Sequence, residues 1–348
     1  MSKKVYVGMS GGVDSSLSAA LLVEQGYNVT GVFMKNWIQD LPGMKCPWAE
    51  DLADAKRVAV KLGIPFKVFD FQTEYKQQVV DYMIREYSAG CTPNPDIMCN
   101  QEVKFKLFLE AALADGAEMI ATGHYARTSN GKLLRAKNPD KDQTYFLYRV
   151  TENALKHTLF PIGDFATKEE VRAEASKRGL VTARKKDSQG ICFVGSVGIR
   201  DFLLQFVETT LGDIIEKETG KVLGRHDGAI FYTFGQRHGL NISGGLPYYV
   251  VGKNMTTNEV YVSTNLNDGE FWRDEIGLTD VHWINSAPQS GKTYQIRVRH
   301  RAPLINAKIV IQDDKTILKL ENPERAIAPG QSIVIYDDEI CLGGGIVL

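Results

Sequence analysis

Gly8-Met9-Ser10-Gly11-Gly12-Val13-Asp14-Ser15-Ser16 lies between two periodic segments. Before it, Lys4 to Gly8 reads as a short apolar strand. After it, Asp14 to Gln25 reads as a helix with Leu17, Leu21 and Leu22 on one face and Gly26 as its stop. Gly11 and Gly12 allow a tight turn and a close backbone approach by a polyphosphate. The free N–H groups and the dipole at the helix start favour an anion there. Ser10, Ser15 and Ser16 add hydroxyl donors. Asp14 would repel phosphate unless a cation lies between, which assigns it to Mg²⁺. The loop lacks the lysine of G-x-x-x-x-G-K-[ST], and it is not G-x-G-x-x-G. A plain Gly-Ser turn with an ordinary N-cap is the alternative, but strand, loop chemistry and helix agree on a nucleotide loop.

The alternation continues outward. Strands are expected at Asn28 to Met34, Phe66 to Phe69 and Glu118 to Ala121, and helices at Ala49 to Leu62, Thr73 to Tyr87 and Val103 to Ala114. This predicts an α/β fold with a doubly wound, Rossmann-like parallel sheet, whose ligands sit at the carboxyl ends of the strands. Gly8, Met34 and Thr122 to His124 fall at such ends. Asn130-Gly131 signals a two-residue hairpin. Thr167, with Glu170 three residues on, signals a capping box for a helix to Arg178. From about Leu211 short β-rich runs appear, at Tyr248 to Val251 and Val260 to Ser263. From about Asp274 strands dominate: Thr293 to Arg299, Ala307 to Ile311, Thr316 to Leu320, Ser332 to Tyr336 and Glu339 to Leu342. That pattern predicts a small barrel. The expected division is 1–205, a nucleotide-binding catalytic domain; 206–270, a small central domain; and 271–348, a C-terminal β-barrel.

The 348 residues are 43% hydrophobic and 24% charged, an ordinary globular balance. No apolar run approaches the roughly 18 residues of a membrane span, and MSKKVYVGMSGG has no signal-type apolar region. A cytoplasmic protein with no membrane partner is expected. A net charge of −1 excludes a basic nucleic-acid coat but not a local basic stripe. Arg297, Arg299 and Arg301 alternate along an expected strand and so share one face, either a phosphate stripe or a solvated face.

Five cysteines, Cys46, Cys91, Cys99, Cys192 and Cys341, contain no C-x-x-C pair, which argues against a zinc knuckle or a cysteine-held cluster. Two have distinctive settings. Asn94-Pro95-Asp96-Ile97-Met98-Cys99-Asn100 reads as a stiff non-helical loop. Asp187-Ser188-Gln189-Gly190-Ile191-Cys192-Phe193 places Cys192 in a short apolar strand. The preceding Arg184-Lys185-Lys186 would lower its thiol pKa if close to it. Each of the two is either a small core residue or a reactive thiol; Cys46, Cys91 and Cys341 read as core.

The loop resembles the S-G-G-x-D-S PP-loop of ATP pyrophosphatases. Taken with NPDIMCN, ATGHYAR, KDQTYFL, DSQGICF, YTFGQRHGL, RVRHRA and APGQ, the chain resembles the tRNA-specific 2-thiouridylases (tRNA-uridine 2-sulfurtransferases) over nearly its whole length. The resemblance implies a PP-loop domain, a small central domain and a C-terminal β-barrel. It implies ATP contacts from Gly8, Met9, Ser10, Gly11, Gly12, Val13, Asp14 and Ser15, with Met34 and Gly123 near the adenosine. It puts Asn94, Pro95 and Asp96 at the target base and makes Cys99 and Cys192 the catalytic pair. The tRNA contacts it implies are His124, Asp142, Gln143, Thr144, His300, Arg301 and Gln331.

The implied chemistry replaces a uracil carbonyl oxygen by sulfur. Transfer of AMP from ATP turns that oxygen into a leaving group, and the loop with Mg²⁺ stabilises the departing pyrophosphate. A persulfide on Cys192, supplied by a donor such as a cysteine desulfurase or a relay protein, attacks the activated carbon or releases sulfide to do so. Cys99 then closes a disulfide with Cys192. Asp96 is a general base, a base-orienting group or a turn cap. His124 is a tRNA contact or a satisfied histidine at a strand end. Three other functions compete: an amidating synthetase of NAD-synthetase type, a sulfur transferase using an iron–sulfur cluster, and a catalytically idle tRNA-binding protein. The first needs neither cysteine, the second needs cluster ligands, and the third needs no intact Asp14, Cys99 and Cys192.

Overall fold

Strand β1 (Lys4–Gly8) is buried on both faces, as a central parallel strand must be. The computed structural model describes residues 2–40, 46–187, 198–242, 247–265, 271–313 and 315–348. Strand β1 pairs in parallel with β2 (Asn28–Lys35) and β4 (Met119–Ala121). Outside them lie β3 (Phe66–Asp70) and β7 (Thr158–Leu159), giving the order β3-β2-β1-β4-β7. Helix α1 (Val13–Glu24) returns from β1, and α2 (Trp48–Leu62) ends at Gly63, whose φ of 66° makes a left-handed cap.

Two long helices flank this sheet, and each contains a π-helical stretch. Gln72–Tyr75 passes through Lys76–Val80 into Asp81–Ser88. Pro95–Met98 passes through Cys99–Leu107 into Phe108–Ala114. The second corrects the expectation of a non-helical loop around Cys99. Asn94 caps this helix by accepting from the Asp96 N–H at 3.0 Å, and Pro95 occupies the first turn, where its missing N–H costs nothing.

The expected hairpin forms as β5 (Ala126–Ser129) and β6 (Lys132–Arg135), with Asn130 and Gly131 both at positive φ. It does not join the parallel sheet. Leu133 and Leu134 pair with Cys341 and Ile340 of the C-terminal part. Four strands make the central sheet: β8 (Gly212–Glu216), β9 (Val222–His226), β10 (Tyr249–Asn254) and β11 (Glu259–Ser263). Six more, β12 (Trp272–Trp283), β13 (Thr293–Arg297), β14 (Ile305–Gln312), β15 (Lys315–Arg325), β16 (Ser332–Asp337) and β17 (Ile340–Val347), close into a barrel through the β12–β17 pairing. Ile276, Ile296, Ile309, Leu318 and Ile333 fill it. The fold is thus a doubly wound parallel sheet, a small central sheet and a C-terminal barrel. Among the described residues no helix is long and apolar enough to cross a membrane.

The arginine stripe does not form. Strand β13 ends at Arg297, which is buried against Asp142 at 3.1 Å. Only Arg299 and Arg301 remain exposed, and Arg301 turns the chain at φ 62°.

Candidate active site

A cavity of about 500 Å³ opens at the carboxyl ends of β1, β2 and β4. Its floor is the glycine-serine loop: Gly8, Met9, Ser10, Gly12, Val13, Asp14 and Ser15 all line it. The loop is organised from within. The Ser10 N–H donates to Ser15 Oγ at 3.1 Å, and no side chain caps the first N–H groups of α1. Ser16 is not a donor to the cavity: it is buried, and its hydroxyl donates to the Gly12 carbonyl at 2.7 Å. Gly11 does not line the cavity either. Its φ is 74°, and a Cβ there would overlap the Asp51 carbonyl of α2. Gly123 packs on the start of α1, where a Cβ would lie 2.5 Å from the Ser15 nitrogen.

Asp14 is engaged by this chain's own groups. Lys168 Nζ donates to its two oxygens at 2.8 and 2.7 Å, and Tyr125 Oη donates to it at 3.0 Å. Lys168 also pairs with Asp187 at 2.9 Å, and Arg172 reaches Asp187 at 2.9 Å. Burial alone would push the Asp187 carboxyl up, but Lys168 and Lys141 hold it below its usual range. Lys168 stands in the first turn of the Lys168–Lys177 helix, fixed there by the expected Thr167–Glu170 capping box. Among the described residues no three His, Cys, Asp or Glu side chains form a metal cage. Asp14 is the loop carboxylate that lines the cavity, so it is the group that would hold Mg²⁺ beside nucleotide phosphates.

Met34 and Gly123 line the cavity with Phe33, beside the loop. The opposite end is built by the capped helix. Asp96 and Asn100 face the cavity. Cys99 between them is 0% exposed and packs in the core, at the first residue of the π-helical stretch. Of the three residues expected at the target base, Asn94 serves as the cap, Pro95 is buried, and only Asp96 lines the cavity. Cys192 lies outside the described residues. Burial pushes the thiols of Cys46, Cys91 and Cys341 up; Cys46 and Cys341 are core residues as expected, whereas Cys91 is only half-buried.

Of the expected tRNA contacts, His124, Gln143, His300 and Arg301 line the same cavity. His124 bonds Thr122 Oγ1 at 2.8 Å and packs against Phe105 and Phe160; burial and then Lys104 hold its pKa well below the ordinary value. Gln143 accepts from the Tyr125 N–H at 2.9 Å. Asp142 and Thr144 turn inward: both are buried, bonded to each other at 2.9 Å, with Asp142 on Arg297. Their side chains join the parallel-sheet part to the barrel and offer no surface to a ligand. Gln331 is half-buried before β16, away from the cavity.

Three family profiles match in succession: "tRNA methyl transferase HUP domain" over 3–196, "tRNA methyl transferase PRC-barrel domain" over 200–264 and "Aminomethyltransferase beta-barrel domain" over 273–347. A tRNA-specific 2-thiouridylase of Methylobacillus flagellatus is 45% identical, covering 100% of this chain and 99% of its own. Those of Bacillus mycoides and Bacillus subtilis are each 44% identical over 99% of this chain and 94% of theirs. The chain belongs to the tRNA-specific 2-thiouridylase family. It is an enzyme of the tRNA sulfurtransferase class. A 4-thiouridine synthetase–RNA complex with bound ATP gives a partial structural likeness, at a TM-score of 0.39, 16% identity and coverage of 58% of this chain and 50% of that one.

Sequence reasoning missed several residues of this thiouridylase cavity. Lys168 sits in the helix expected from Thr167 to Arg178, where the capping box marked the helix start but not the lysine. Asn36, Asn100 and Phe146 carry no motif of their own, though Asn100 ends NPDIMCN and Phe146 lies inside KDQTYFL.

Proposed function

We propose that this chain 2-thiolates the wobble uridine of tRNA at the expense of ATP. One observation carries the reading. A single cavity joins the phosphate-type loop at 8–15 to the Asp96–Asn100 turn, with His300 and Arg301 at its rim. A nucleotide and a flipped base then meet in one space.

ATP binds with its phosphates on the loop and its adenosine along Met34 and Gly123. The uracil 2-oxygen attacks the α-phosphorus and pyrophosphate leaves. Asp14 would hold Mg²⁺, which when bound would supply charge neutralisation for the phosphates. The terminal sulfur of a Cys192 persulfide adds to C2, and AMP departs with the old oxygen. The Cys99 thiolate attacks the Cys192 sulfur, releasing the 2-thio group and leaving a Cys99–Cys192 disulfide, which an external thiol reduces. Asp187 sits on the cavity wall five residues before Cys192, which supports the pairing. Asp96 orients the base or moves its proton. Residues 1–205, 206–270 and 271–348 act as catalytic, central and tRNA-contacting parts. The partners are tRNA and a persulfide donor, and the compartment is the cytoplasm.

The test mixes protein, ATP, Mg²⁺, a persulfide donor and unthiolated tRNA, then digests the tRNA and seeks 2-thiouridine by mass spectrometry. Product with the wild type, and none with Cys192→Ser or Cys99→Ser, is expected. AMP formed on a small acceptor, indifferent to both substitutions, would move the assignment to an amidating synthetase.

A further inference from the structure

Two side chains of the cavity have no part in the nucleotide loop or the sulfur chemistry. Asn36 and Asn100 are 1% and 3% exposed, and both line the cavity. Neither amide atom of Asn36 has a hydrogen-bond partner, and Asn100 Oδ1 has none. Buried amides are nearly always paired, so open ones on a cavity wall point to a ligand that completes them.

Asn100 is the more constrained of the two. Its Nδ2 donates to the Phe146 carbonyl at 3.1 Å, which fixes the direction of the amide and leaves Oδ1 as an acceptor only. It follows Cys99 directly, and Asp96 lies one turn before it. Phe146 lines the same cavity and its ring packs against His300 in a tilted contact, with centroids 4.4 Å apart at 42°. A flat aromatic surface beside a fixed edge acceptor is a slot for an unstacked base.

We propose that Asn100 is the specificity-determining residue for the target pyrimidine, its Oδ1 accepting the N3–H of a uracil laid against Phe146. The proposal rests on the uridine-thiolation reading above. Uracil and cytosine both carry the 2-carbonyl where the chemistry occurs, so that group cannot separate them. They differ at N3, where uracil has an N–H and cytosine a lone pair. A lone pair facing Oδ1 leaves two acceptors opposed and unpaired, the kind of mismatch that polar pockets reject most strongly. Asn36 keeps both a donor and an acceptor open, follows Met34 at the end of β2, and lies on the side assigned to the nucleotide.

The experiment is single-turnover thiolation with excess enzyme on transcripts that carry uridine, cytidine or 3-methyluridine at the target position. Products are counted by mass spectrometry, and ATP affinity is measured on the same preparations. The wild type is expected to thiolate only uridine at an appreciable rate. Asn100→Ala should slow uridine by about tenfold or more without slowing cytidine, at unchanged ATP affinity. Asn100→Asp, which keeps an acceptor and the volume, should retain the preference even where turnover falls. Asn36→Ala should leave the uridine-to-cytidine ratio as in the wild type. Equal slowing of both pyrimidines by Asn100→Ala overturns the proposal. So does a ratio that falls with Asn36→Ala alone, or wild-type thiolation of 3-methyluridine at the uridine rate; this last arm needs no variant to fold. A wild type that makes no 2-thiouridine from the uridine transcript overturns the thiouridylase reading itself.

Discussion

Lys168 brings to the loop the cation that the loop's own sequence lacks. Its ammonium stands between Asp14 and Asp187, so two carboxylates can border a polyphosphate site without presenting two net charges. Lys168→Met should lower ATP affinity by at least about tenfold, because a 1.4 kcal/mol loss already does so and the loop then faces phosphate with unpaired acids. Its stability cost should be about 1–3 kcal/mol, below the range for a fully buried pair, since Asp14 and Asp187 are partly solvated. Nucleotide titration and thermal melting of the same samples separate the two effects. Gly123→Ala is the steric counterpart. A methyl 2.5 Å from the Ser15 nitrogen must push α1 from the strand end, so nucleotide affinity should fall about tenfold or more with little change elsewhere. A variant that binds ATP like the wild type would show that the loop tolerates this shift. The loop glycines and serines were legible because strand, turn and helix repeat one message in consecutive residues. Lys168 was not, because it reaches Asp14 across 154 positions of chain.

The helix carrying Cys99 shows how an element misleads when its punctuation is read without its position. Pro93 and Pro95 suggest a loop, yet Pro95 sits where a helix accepts proline and Asn94 provides the cap. The nine-residue π-helical stretch that starts at Cys99 has no sequence signature either, and such stretches collect at functional sites. Asn94→Ala should remove about 1 kcal/mol of cap and loosen the turn that holds Asp96, Cys99 and Asn100. Thiolation should therefore fall more than ATP binding does. Thr167→Ala should act at the other end of the cavity. It loses a similar cap energy and frees Lys168, so ATP affinity should fall while single-turnover sulfur transfer at saturating ATP is nearly kept. If both variants change the same kinetic constant, the two helices do not divide the site in this way.

At the scale of the molecule, the barrel is a wall of the active site. The β5–β6 hairpin extends the barrel sheet through β17, Asp142 meets Arg297, and Tyr145 Oη donates to the Ser332 carbonyl at 2.8 Å. None of this was legible, because pairing between segments some 200 residues apart leaves no local period; the strands themselves were. The junction ends at the cavity, where the His300 ring of the barrel packs tilted against Phe146. Burial first, then Arg301 and Arg297, push the His300 pKa down to about 4. An unfolded histidine takes its proton near pH 6.5, whereas the folded one stays neutral down to about 4. The unfolded chain thus binds more protons in that window, and stability must fall as pH drops from 6.5 towards 4. His124, His226 and His282 are also held below their usual values and act with the same sign. His300→Phe keeps an aromatic on Phe146 and removes one titration. Its melting temperature should decline less steeply than that of the wild type between pH 6.5 and 4.5, and the two curves should run parallel above pH 7.5. Parallel curves throughout would mean that His300 gains its proton in the folded protein as readily as in the unfolded chain, and that the barrel seats on Phe146 without excluding water.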